Sequence, residues 1–252
     1  MGASLPPWDF IAIILALATL VPWRAAARVR RLLREPQMTT GDRLALYAST
    51  IAFQWFAAVV VGWRALARGL NLAELGLTIQ SPLRSYGIAA GLSLILFANQ
   101  FFALKRLSRH PPTRTSRLIE ITRKLMPQAS VEVLAFIALS ATVGVCEEFL
   151  YRGFIYAVID AALGGAWPVA ILGSAALFSI AHLYQGRRGM LATFFAGIVF
   201  ATARFWTGSL VPCVVAHAIA DITAGVAARR YLPPLEASAS TPGAGGTGAE
   251  AE

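Results

Sequence analysis

Glu147 and Glu148 stand side by side in GVCEEFLYR (144–152), near the end of a long apolar run, and Arg152 follows four residues after Glu148. Ionised side chains in a hydrocarbon-like segment are costly, so they point to function rather than to packing. His182 closes a second apolar run in FSIAH, and His217 and Asp221 lie four apart in HAIAD within a third. Carboxylates and imidazoles are the groups that take and give protons near neutral pH, so this set could activate water. Two histidines and one carboxylate are also the donor set of a hydrolytic zinc site with water in the fourth position. No HExxH spacing is present, so a glutamate-driven and a metal-assisted reaction both stay open.

Helical spacing divides these residues. Glu148 and Arg152, four apart, meet on one face. Glu147 is about 100° further round the helix, without that counter-charge and free to face something else. His217 and Asp221 also share a face, which predicts that Asp221 accepts the ring N–H of His217 as outer-sphere carboxylates do. Phe178, one turn before His182, reads as ordinary core. Cys146 and Cys213 lie inside apolar runs and read as small buried residues, without a disulfide framework.

The elements that carry this set are membrane helices. The 252 residues are 57% apolar and 14% charged, with a mean hydropathy of +0.61, and repeated apolar runs of membrane-crossing length predict an all-α polytopic transmembrane helix bundle. The net charge of +9 sits mostly in short connectors, where lipid headgroups and topology account for it, so nucleic acid is not an expected partner. The expected spans are 8–22 (with Trp8 and Trp23 as interfacial anchors), 44–63, 86–104, 131–150, 167–183, 190–206 and 210–228. The stretch 154–163 is too short to cross alone, which leaves seven spans or eight. An arginine-rich connector, 24–34, follows the first span, and RLIEITRKLM (117–126) is expected as an amphipathic piece at the membrane surface. Charge bias puts 24–43 and 105–128 on the cytoplasmic side, and eight spans would set Arg229 and Arg230 against that bias. Residues 1–231 form one integral membrane domain with a motif-bearing core of about 129–228, and the Gly-, Ala-, Ser- and Thr-rich tail, 232–252, is expected to be disordered.

EEFLYR (147–152), FSIAH (178–182) and HAIAD (217–221) resemble, in order and spacing, the three motifs of the CAAX-protease and bacteriocin-processing family (CPBP, or Abi), and ELGL at 74–77 also looks like it. The resemblance implies an intramembrane metalloprotease, CAAX prenyl-protease-like, in the bacterial cytoplasmic (inner) membrane. Its substrate would be a membrane-associated peptide or protein tail. By the family's motifs, Glu147 would activate water with help from His182. Glu148 with Arg152 would hold the helix end, and His217 with residue 221 would stabilise the oxyanion or help bind a metal. Where much of the family has Asn, this chain has Asp221, which when ionised can only accept a hydrogen bond. That departure suits a Zn2+ ligand set of Glu147, His182 and His217. A proton-coupled transporter using the same groups as a relay, or a non-catalytic immunity or scaffold protein, is the rival reading.

Overall fold

The computed structural model describes residues 6–109 and 117–231, all helix, turn and loop, with no strand among them. The expected tail, 232–252, lies outside the described residues. Five helical stretches are long and apolar enough to cross a membrane, and two shorter apolar helices accompany them. The chain is a polytopic helical membrane bundle.

Helix α1 runs Trp8–Arg34 without interruption, so the arginines expected in a connector instead extend the first span. Arginine is a good helix former, and the helix runs on through Pro22 to end at Arg34, just before Pro36. The exposed C-terminal carbonyls of α1 are taken by Lys124, whose Nζ donates to Leu32 O at 3.2 Å, Leu33 O at 3.3 Å and Glu35 O at 2.6 Å. Lys124 belongs to α4, Arg117–Leu125, the amphipathic piece. Its Ile121 is buried against Val29 and Leu32 of α1, so α4 is pinned to the bundle.

Helix α2, Thr40–Ala67, starts at a capping box between Thr39 and Asp42, and α3 spans Pro82–Arg109. Next, α5 (Ser130–Glu148) passes directly into a π-helical stretch, Phe149–Ile155, and then α6, Tyr156–Ala162. The stretch 154–163 is therefore not a separate crossing but the end of one 33-residue helix. Among the described residues seven apolar helices remain, and 154–163 does not add an eighth crossing. The rest are α7 (Trp167–Ala181), α8 (Gly186–Thr207) after a short turn, and α9 (Val211–Tyr231).

The central element is Ser130–Ala162. Half of its apolar window is buried, against 11–17% in α1, α2 and α3, whose Phe56, Trp63, Leu94 and Phe102 point outward as a lipid-facing surface does. Along α5, α2 packs on one side and α9 on the other. Gly144 makes the second approach possible: a Cβ there would lie 3.1 Å from the backbone oxygen of Val214 and 3.2 Å from Ala218. The ELGL loop is also part of the core. Leu75 is fully buried, Arg204 Nη2 donates to Ala73 O at 3.2 Å and Glu74 O at 2.8 Å, and Leu210 N donates to Gly76 O at 2.8 Å.

Candidate active site

The end of α5 presents its two glutamates to different neighbours. Glu148 faces inward, fully buried, and Arg152 Nη1 donates to its Oε1 at 3.0 Å. His217, reaching from α9, donates its Nδ1–H to the same oxygen at 2.7 Å. Glu148 thus joins the two motifs. Arg152 is itself fully exposed to neither water nor lipid; the rings of Phe178 and Phe200 cover its guanidinium at 4.1 and 5.5 Å. The wide π-helical turn carrying Arg152 is the kind of local departure from α geometry found at functional sites.

Glu147 faces α2. Gln54 Nε2 donates to its Oε1 at 2.9 Å, while its Oε2 is buried without a partner. The two carboxylates are thereby separated as their 100° offset requires, one bound through Oε1 to an arginine and a histidine and one held by a neutral amide.

His182 ends α7 and donates Nδ1–H to Phe178 O at 2.8 Å, which leaves Nε2 as the free ring nitrogen. Its ring lies 4.5 Å from that of Phe178, which also packs edge-on against Tyr151 at 5.2 Å and His217 at 6.1 Å. Phe178 is therefore more than ordinary core: it is the ring around which the arginine and both histidines are arranged. Glu148, Arg152, His217 and Asp221 are joined by contacts of 2.7 to 3.8 Å, the His182 and His217 rings both flank Phe178, and Glu147 adjoins Glu148 in the chain, so the three motifs meet at one place.

One expectation is corrected by the distances. Asp221 Oδ2 is 3.8 Å from His217 Nε2, too long for a hydrogen bond. The carboxylate that orients His217 is Glu148, which reaches it from another helix with its charge held in place by Arg152. Among the described residues, no group of three or more His, Cys, Asp or Glu side chains is gathered to hold a metal. Of the expected zinc ligands, Glu147 holds Gln54 through Oε1, His182 holds the Phe178 carbonyl through Nδ1 and His217 holds Glu148 through Nδ1, which leaves Glu147 Oε2 and the two Nε2 atoms outside those bonds.

Gln54 and Phe200 were not singled out from the sequence. Gln54 left a signal, as the one carboxamide in the second apolar run. Phe200, whose ring stacks 5.8 Å from His217, left none among so many apolar residues. An apolar cleft of about 420 Å³ lies beside this arrangement, lined by Trp55 and Val59 of α2, Leu77, Val145 and Phe149 of α5 and its π turn, and Val214 of α9.

Residues 129–223 match the family model described as Type II CAAX prenyl endopeptidase Rce1-like. The site-bearing segment is Rce1-like. The match runs from the start of α5 into α9, taking in all three motifs and leaving out α2 with Gln54. The matched family is one of proteases, hydrolases of peptide bonds, and the chain that carries the matching segment is a multi-pass membrane protein. No curated protein and no solved structure matches the chain.

Proposed function

We propose that this Rce1-like chain is an intramembrane endopeptidase of the bacterial cytoplasmic membrane that cleaves membrane-associated peptides or protein tails with water activated by Glu147. The observation that carries the reading is the division of labour between adjacent glutamates. Glu148 Oε1 takes both the Arg152 guanidinium and the His217 ring N–H, whereas Glu147 Oε1 meets the neutral Gln54 amide; each glutamate keeps its Oε2 buried without a partner, and the one on Glu147 belongs to a carboxylate not bound to Arg152. A general base needs such a free acceptor within reach of the water it deprotonates.

In the reaction, Glu147 takes one proton from water as the water oxygen bonds to the peptide carbonyl carbon. The same proton then passes to the departing amine as the C–N bond breaks. His182, its ring set by the Phe178 carbonyl, offers Nε2 as a second acceptor for the water. Glu148 and Arg152 hold the helix end and fix His217, and Asp221 adds negative charge beside that ring. The apolar cleft between α2, the ELGL loop and α9 suits a hydrocarbon-rich segment of substrate.

Glu147→Gln keeps the size of the side chain and its bond to Gln54 but removes the base. Cleavage of a membrane-associated peptide by purified protein should fall by about 10²–10⁴-fold, with expression and thermal midpoint retained. Wild-type cleavage by Glu147→Gln would sink the reading. Chelation separates the glutamate-driven reaction from a metal-assisted one: on the glutamate-driven reading, metal-depleted protein retains its kcat. Activity that rises in proportion to bound zinc would show that the ligands regroup.

A further inference from the structure

Besides Glu148 Oε2 and Arg152 Nε and Nη2, which belong to the ion-paired side chains, two polar atoms near the head of the site are buried without partners, and both belong to the same turn. One is Glu147 Oε2; the other is the hydroxyl of Tyr151. Tyr151 is four residues after Glu147, on the same helical face, and side chains on a helix lean toward its N-terminus, which brings the Tyr151 ring back over Glu147. The ring is 2% exposed and held edge-on by Phe178 at 5.2 Å, the aromatic that also seats His182.

A phenol buried with its hydroxyl unbonded is costly and calls for a reason, since the same ring without the oxygen would pack equally well. We infer that Tyr151 is a further catalytic residue, whose hydroxyl holds the nucleophilic water together with Glu147. The water gives one hydrogen to Glu147 Oε2 and the other to the Tyr151 oxygen, which answers both unpartnered atoms with one molecule. Its lone pair is then left to attack the carbonyl, and only the proton on Glu147 is transferred. Tyr184, nearby at 5.9 Å from the His182 ring, is a poorer candidate because Gln185 Nε2 already donates to its hydroxyl at 3.2 Å.

This inference rests on the hydrolytic role of Glu147, and the two can fail separately. Tyr151→Phe deletes only the oxygen. It should lower kcat about 10–100-fold with KM changed less than about twofold, the pattern of a group used in the transition state. The thermal midpoint should stay level, because the ring packing is kept and the water retains Glu147 as a partner. Adding Tyr151→Phe to Glu147→Gln should cost little more, since both act on one water. A wild-type kcat for Tyr151→Phe, with cleavage still dependent on Glu147, would overturn the role of Tyr151 alone. So would a lowered midpoint with unchanged kcat per folded molecule, which would make the hydroxyl structural. Loss of Glu147 dependence would instead overturn the protease reading itself.

Discussion

At its N-terminal end, α5 buries one arginine–glutamate pair, and at its C-terminal end it buries another. In the first, Arg43 Nε donates to Glu132 Oε2 at 2.7 Å, Arg43 Nη1 donates to Met38 O at 2.8 Å, and the backbone N–H groups of Gln128 and Ala129 also reach Glu132 Oε2. Only Glu132 Oε1 is left unpartnered there. In the second, around Glu147, Glu148 and Arg152, the unpartnered atoms are Glu147 Oε2, Glu148 Oε2, the Tyr151 hydroxyl and Arg152 Nε and Nη2. The first pair closes on itself and on the start of the helix. The second leaves polar capacity for something that arrives. Since an unsatisfied buried polar atom is penalised in folding, the protein retains at one end of α5 a cost that it largely avoids at the other.

The sharpest way to break this comparison is to remove one partner from each pair. Arg152→Ala leaves Glu148 buried without its guanidinium, and Glu132→Ala does the same to Arg43. Each should cost about 3–5 kcal/mol in an unfolding titration in detergent, the usual penalty for stranding a buried charge. Their activities should diverge. Glu132→Ala should keep its kcat per folded molecule, because its partners all serve helix ends. Arg152→Ala should lose at least about tenfold, because Glu148 then no longer holds His217 in a fixed orientation. Equal losses of kcat from the two variants would dissolve the distinction.

A smaller effect is expected at Gln54. Gln54→Leu frees Glu147 Oε1 without removing any charge, so stability should move by no more than about 1 kcal/mol. The kcat should fall about tenfold as the base loses its orientation, measured on the same peptide as Glu147→Gln. An unaltered kcat would mean that α2 merely touches the site.

Gln54 also marks how far the residues themselves could be read. The motif residues were legible because charge and imidazole are rare in apolar runs, and their spacing of four fixed which side chains share a face. The separation of Glu147 from Glu148 followed from the helix angle alone. What lay beyond reach was the identity of the partners on other helices: spacing within α5 says nothing of which residue of α2 or α9 comes opposite. For that reason His217 was paired with its own neighbour, Asp221, when the true partner, Glu148, is on another helix. The same limit hid the continuity of Ser130–Ala162. Glu147, Glu148 and Arg152 made 131–150 look like a span ending in charge, yet Arg152 is buried in a π turn inside the helix.

The smallest effect should come from Asp221, the departure from the family's pattern. At 3.8 Å from His217 Nε2 it acts on the ring through space and not through a bond, and it is half-buried, so water can soften its charge. Asp221→Asn keeps the shape, removes the charge and supplies an amide donor. The loss of a carboxylate that is not hydrogen-bonded to the ring should lower kcat/KM by less than about threefold, since His217 stays fixed by Glu148. The added donor works in the opposite direction wherever negative charge builds on the substrate oxygen. A gain in kcat would place residue 221 within reach of that oxygen, whereas a loss of 100-fold would make Asp221, and not Glu148, the group that governs His217.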